Sequence, residues 1–143
     1  VGAGAIRRVA EEEIMEKFRI LVVDDEDDFR ETIVKRLKGR NLDTIGVASG
    51  EEALKIMESE NFDVVVLDVR MPGMDGIEAL KEMKKKRPLT EVIMLTGHAS
   101  VESGIQGMQL GAFDYVMKPV PLDELLDKMR QAYERKRIQE GKF

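Results

Sequence analysis

Five residues that could do chemistry each stand at the end of a short apolar run. Asp24 and Asp25 follow Ile20-Leu21-Val22-Val23, and Asp68 follows Val64-Val65-Val66-Leu67. Thr96 follows Val92-Ile93-Met94-Leu95, and Lys118 follows the run from Phe113 to Met117. Carboxylates gathered in one place repel one another and need a cation, and oxygen ligands with open water positions suit Mg²⁺. An ammonium and a hydroxyl beside them add a positive charge and a hydrogen-bond donor. Such a set can stabilise charge on a phosphoryl group passing in line to a carboxylate. Asp68, alone at the end of its run, is the natural nucleophile, and Asp24 and Asp25 are the natural metal ligands.

Chemistry of this kind requires elements that bring the five together. The apolar runs are continuous rather than alternating, as in strands buried on both faces of a parallel sheet. A weaker run, Thr44 to Val47, supplies a fifth strand. Between the runs the spacing turns helical: Phe29, Ile33 and Leu37; Ala53, Leu54 and Met57; Ile77, Leu80 and Met83; Leu122, Leu125, Leu126, Met129 and Tyr133. Ser49 with Glu52, and Asp75 with Glu78, read as capping boxes. Right-handed crossovers would fold this (βα)₅ order into an α/β, doubly wound, five-stranded parallel sheet of flavodoxin-like architecture. Sites in such sheets lie at the carboxyl ends of the strands, where the strand order reverses. Three glycines between Gly104 and Gly111 mark the fourth helix as the weakest in propensity.

The expected domain runs from 19 to 138, with 1–18 as an extension or linker of helical spacing (Ile6, Val9, Ala10, Ile14, Met15) and 139–143 as a tail. Composition sets the outer bounds. A 143-residue chain with 43% hydrophobic residues and four prolines suits a compact domain. There is no cysteine and one histidine, His98, which excludes disulfides and thiolate metal sites and argues against a His-centred triad. A net charge of 23 − 28 = −5 gives no electrostatic support to direct nucleic-acid binding. No apolar run is long enough to span a membrane, and a cytoplasmic location is expected. The basic run Lys84 to Arg87 precedes Pro88 and reads as cations at a helix C-terminus.

In order and spacing, Val22-Val23-Asp24-Asp25-Glu26, Asp68-Val69-Arg70-Met71-Pro72-Gly73-Met74-Asp75-Gly76, Met94-Leu95-Thr96-Gly97 and Lys118-Pro119 resemble the response-regulator receiver family of bacterial two-component systems. The likeness covers Arg19 to Tyr133. It implies that Asp68 accepts a phosphoryl group from a phosphohistidine on a sensor histidine kinase or a histidine phosphotransfer protein. It implies Mg²⁺, with Mn²⁺ as a substitute, held by Asp25, Asp68 and the backbone carbonyl of Arg70, with Asp24 acting through water. Thr96 and Lys118 would hold phosphoryl oxygens, and Lys118-Pro119 would be a cis peptide. Tyr115 matches the aromatic position that turns inward as Thr96 moves. The surface of the fourth helix, fifth strand and fifth helix would then change to control an output, and it could serve a homodimer. Arg70 and His98, each two residues past a site residue, would flank the phosphoryl group. The wording Thr96 to Glu102 with Leu110 to Tyr115 resembles receivers attached to sigma-54-activating ATPases and hybrid kinases. The chain ends soon after its last helix, with no effector domain in view.

Taken singly, each residue has a plainer role. Asp24 and Asp25 could cap a helix, Asp68 could belong to the Met-Pro-Gly turn, Tyr115 could be a half-buried strand aromatic, and His98 a solvated loop residue. A calcium loop starting at Asp24 fails, because Phe29 replaces its glycine and Lys35 its bidentate glutamate. A haloacid-dehalogenase-like phosphatase needs a second Asp where Arg70 stands. A flavodoxin-like nucleotide site needs Gly or hydroxyl residues where the acidic run Asp24 to Asp28 would repel phosphate.

Overall fold

The computed structural model describes residues 18–97 and 101–141. The expected N-terminal helix, His98 and the last residues of the tail lie outside this range. Five strands form one parallel sheet: β1 (Arg19–Val23), β2 (Asp43–Val47), β3 (Val64–Asp68), β4 (Glu91–Thr96) and β5 (Asp114–Met117), in the order β2-β1-β3-β4-β5. The helices are α1 (Asp27–Gly39), α2 (Gly50–Ser59), α3 (Gly76–Lys86), α4 (Val101–Gln109) and α5 (Leu122–Gln139).

The period of two along each strand sorts side chains into two cores. Leu21, Val23, Val65, Leu67, Val92 and Met94 pack with Ala53 and Met57 of α2 and Ile77, Leu80 and Met83 of α3. Ile20, Val22, Val64, Val66, Ile93 and Leu95 pack with Ile33 and Leu37 of α1 and Leu125 and Met129 of α5. Both faces are buried against helices, which is why these strands read as unbroken apolar runs.

Local sequence starts and stops the helices. Ser49 accepts a hydrogen bond from the Glu52 amide and caps α2, and Asp75 does the same for α3 through the Glu78 amide. The Glu52 carboxylate reaches back to the amide of Ala48, one residue before the cap itself. Phe18, placed by the sequence reading in the extension, is buried and stacks on Tyr133 of α5 with ring centroids 4.8 Å apart. Phe18 therefore belongs to the packed core.

Candidate functional site at the strand ends

Register decides which side chains meet. Val23 pairs with Leu67, so Asp24 and Asp68 leave adjacent strands side by side. Asp68 pairs with Leu95 and Thr96 with Met117, which sets Thr96 and Lys118 just beyond on the other flank. The β1–β3 neighbourhood is where the strand order reverses, so the acidic cluster sits at the sheet's switch point. The loop after β3 is held by a close approach. Gly76 donates its amide to the Val69 carbonyl at 2.9 Å, and a Cβ there would come within 2.5 Å of the Asp68 carbonyl oxygen. Any larger residue would push α3 away from the strand that carries Asp68.

Asp24, Asp25 and Asp68 each offer a carboxylate oxygen, and these atoms lie within 4.8 Å of one another. An all-carboxylate donor set with one exposed member, Asp25, fits a hard divalent cation that keeps some of its waters. Asp24 is fully buried. Its Oδ1 accepts from the Glu26 amide and its Oδ2 from Lys118 Nζ at 2.8 Å. Lys118 Nζ also donates to Glu26 Oε1 at 3.1 Å, lies 3.8 Å from Asp68 Oδ1, and sits 4.4 Å from the centre of the Phe29 ring.

This geometry perturbs both charges. Burial, and then the neighbouring charge of Asp24, push the Asp68 carboxyl up to about 7; Lys118 and the Arg70 amide pull the other way, and Asp25 adds to the rise. Burial works against the Lys118 charge too, but the hydrogen bonds it donates to Asp24 and Glu26, with the nearby carboxylates, outweigh it and hold the ammonium above its ordinary value. Asp68 is thus a carboxylate that gains from any positive charge brought to it.

The remaining expected residues fall around this centre. Thr96 is buried, its hydroxyl donating to the Gly97 carbonyl, and its own carbonyl accepts from the Lys118 amide. The Lys118-Pro119 peptide is cis. Arg70 is exposed, its amide 3.4 Å from Asp68 Oδ1, and it lines an open groove of about 400 Å³ with Met71, Pro72 and Ser103. Tyr115 is half-buried, packed on α4: a Cβ at Gly104 would meet its ring at 2.7 Å, and one at Gly107 would meet Met94 Sδ at 2.3 Å. Glycines legible only as weak helix formers are contact points between α4 and the sheet.

Sequence reasoning passed over Glu26 and Phe29, the second acid and the aromatic ring that hold Lys118. The signal was the unbroken acidic run itself, in which nothing local singles out Glu26. It also missed Glu91, buried at the far end of β4 and bound bidentately by the Arg135 guanidinium, with Lys84 Nζ at 3.7 Å. Lys84 also donates to the carbonyls of Pro88 and Thr90, and Arg87 to that of Met57, so this basic run has specific partners besides the helix end.

An open parallel sheet with an acidic pocket and a lysine at its switch point defines a class of α/β folds that carry their site at the strand ends. Within it, this chain belongs to the response regulator receiver domain family, whose pattern matches residues 20–130. It is a receiver domain of the two-component response regulators. Regulatory protein AtoC of Escherichia coli K12 is 45% identical over 107 residues, which are 75% of this chain and 23% of that protein. The DNA-binding transcriptional regulator NtrC of the same strain is 36% identical over 118 residues, 82% of this chain and 25% of that protein. The chain thus spans about a quarter of the length of these curated relatives. Among solved structures, a response regulator receiver domain protein from Clostridium thermocellum superposes with a TM-score of 0.82 at 35% identity, covering 85% of this chain and 98% of that one. The receiver domain of NtrX from Brucella abortus gives 0.77 at 32% identity, covering 80% and 98%. Among the described residues no helix is long and apolar enough to cross a membrane.

Proposed function

We propose that this receiver is switched by phosphorylation of Asp68. The reading rests above all on one observation: the Asp68 carboxylate, buried at a strand end, shares its pocket with two further carboxylates and lies 3.8 Å from a lysine ammonium. Asp68 attacks phosphorus as the P–N bond of a partner's phosphohistidine breaks; the bonding pair returns to the imidazole, and an acyl phosphate forms. Lys118 and the Thr96 hydroxyl, freed from its local bond to Gly97, take the phosphoryl oxygens. Asp24, Asp25, Asp68 and the Arg70 carbonyl would hold Mg²⁺ or Mn²⁺, which when bound offsets the repulsion between carboxylates and phosphoryl oxygens. Slow hydrolysis by the same site then resets the domain.

The donor is a sensor histidine kinase or a histidine phosphotransfer protein, in a cytoplasmic setting. Movement of Thr96 draws on Tyr115, and the face of α4, β5 and α5 carries the change outward. That face exposes Ile105, Met108 and Met117, apolar side chains suited to a homodimer or a target. The relatives include a DNA-binding transcriptional regulator, which supports a transcriptional output made outside this acidic domain. Intact mass after treatment with acetyl phosphate and Mg²⁺ tests the core claim. One phosphoryl group should be gained by the wild type and none by Asp68→Asn or by wild type in excess EDTA. Labelling of the variant, phosphate turnover without labelling, or nucleotide binding instead would reject it.

A further inference from the structure

We propose that Glu26 is a positioning residue that tethers the Lys118 ammonium away from Asp68 until a phosphoryl group arrives; this rests on Asp68 being the phosphoacceptor. Lys118 Nζ is bonded to Asp24 Oδ2 at 2.8 Å and Glu26 Oε1 at 3.1 Å, whereas Asp68 Oδ1, at 3.8 Å, is beyond hydrogen-bond distance. The Phe29 ring lies against the same ammonium. To reach oxygens on a phosphorylated Asp68, Nζ must shift toward β3 and give up part of this set.

The two carboxylates differ in which can yield. Asp24 is fully buried, and its other oxygen is fixed by the Glu26 amide. Glu26 precedes α1 and makes no side-chain cap bond to it, and its side chain is 66% exposed. Its carboxylate is spent on Lys118 instead. An ion pair with one exposed partner is weak enough to exchange yet strong enough to bias a side chain. Glu26 therefore sets how readily Lys118 leaves its resting position, and Asp24 keeps it near the site throughout.

The test compares wild type with Glu26→Gln, which removes the charge, and Glu26→Asp, which keeps the charge but shortens the reach by one methylene. At saturating Mg²⁺, labelling by phosphoramidate should be about two- to fivefold faster in both variants. The Lys118 side-chain NMR signal should differ from wild type in both without a phosphoryl analogue. With beryllofluoride bound, it should converge on that of the wild type, which a general structural effect would not produce. Unchanged or slower labelling overturns the tether. A fast Gln variant beside an Asp variant like wild type also overturns it, in favour of long-range charge. If the wild type takes no phosphoryl group at all, the Asp68 reading fails, and the Lys118 signal of the untreated protein still decides whether Glu26 holds it.

Discussion

Asp68→Asn should make the metal-free protein more stable at pH 8, with the gain vanishing as the pH falls. Burial and the Asp24 charge raise the Asp68 carboxyl from 3.8 to about 7, so folding favours its protonated form. The stability tied to that proton is fully present below pH ~4, where the unfolded chain is also protonated, and is lost as the pH rises through about 7. A rise from 3.8 to about 7 corresponds to a ceiling of about 4 kcal/mol at pH 8. Water at the mouth of the site screens part of this, and asparagine lacks the O–H donor of the protonated acid. A gain of about 2 kcal/mol is therefore expected. Urea unfolding of both proteins in EDTA, from pH 5 to pH 8, measures it as the difference between the two. Mg²⁺ at pH 8 should close much of the gap by stabilising the wild type. A gap that does not widen with pH, or a variant less stable at pH 8, would refute the strain assigned to Asp68.

Three further outcomes are expected. Gly104→Ala should lower stability by about 1 kcal/mol despite its better helix propensity, because the methyl meets the Tyr115 ring at 2.7 Å; thermal melts and Tyr115 ring NMR signals report it, and a net gain would contradict the packing. Arg135→Ala should cost about 3 kcal/mol in urea unfolding, because Glu91 is 1% exposed and, among the described residues, would keep only Lys84 as an ion-pair partner; a change below about 0.5 kcal/mol would mean the pair adds nothing. Arg70→Ala and His98→Ala should each shorten the acyl-phosphate lifetime severalfold without preventing its formation, as followed by intact mass, and unchanged or longer lifetimes in both would end the shielding idea.

The sequence by itself determined the alternation of strands and helices along the chain, the α/β class and the residue types of the site. Strands buried on both faces must be continuous in apolar residues, and functional groups cluster where such strands end, so Asp24, Asp25, Asp68, Thr96 and Lys118 were legible as a set. The capping acids and hydroxyls at Ser49 and Asp75 were legible for the same reason: they act within one turn of their own helix. What only the tertiary structure decided are contacts between segments far apart in the chain. Glu26 meets Lys118 across 92 positions, Glu91 meets Arg135 across 44, and Phe18 stacks on Tyr133. Gly104 and Gly107 look alike as weak helix formers, yet one faces Tyr115 and the other Met94. Periodicity says which face of an element is buried, because that depends on its own repeat. It does not say which charged side chain of one element meets which of another, because that depends on register and on packing angles set by the whole core.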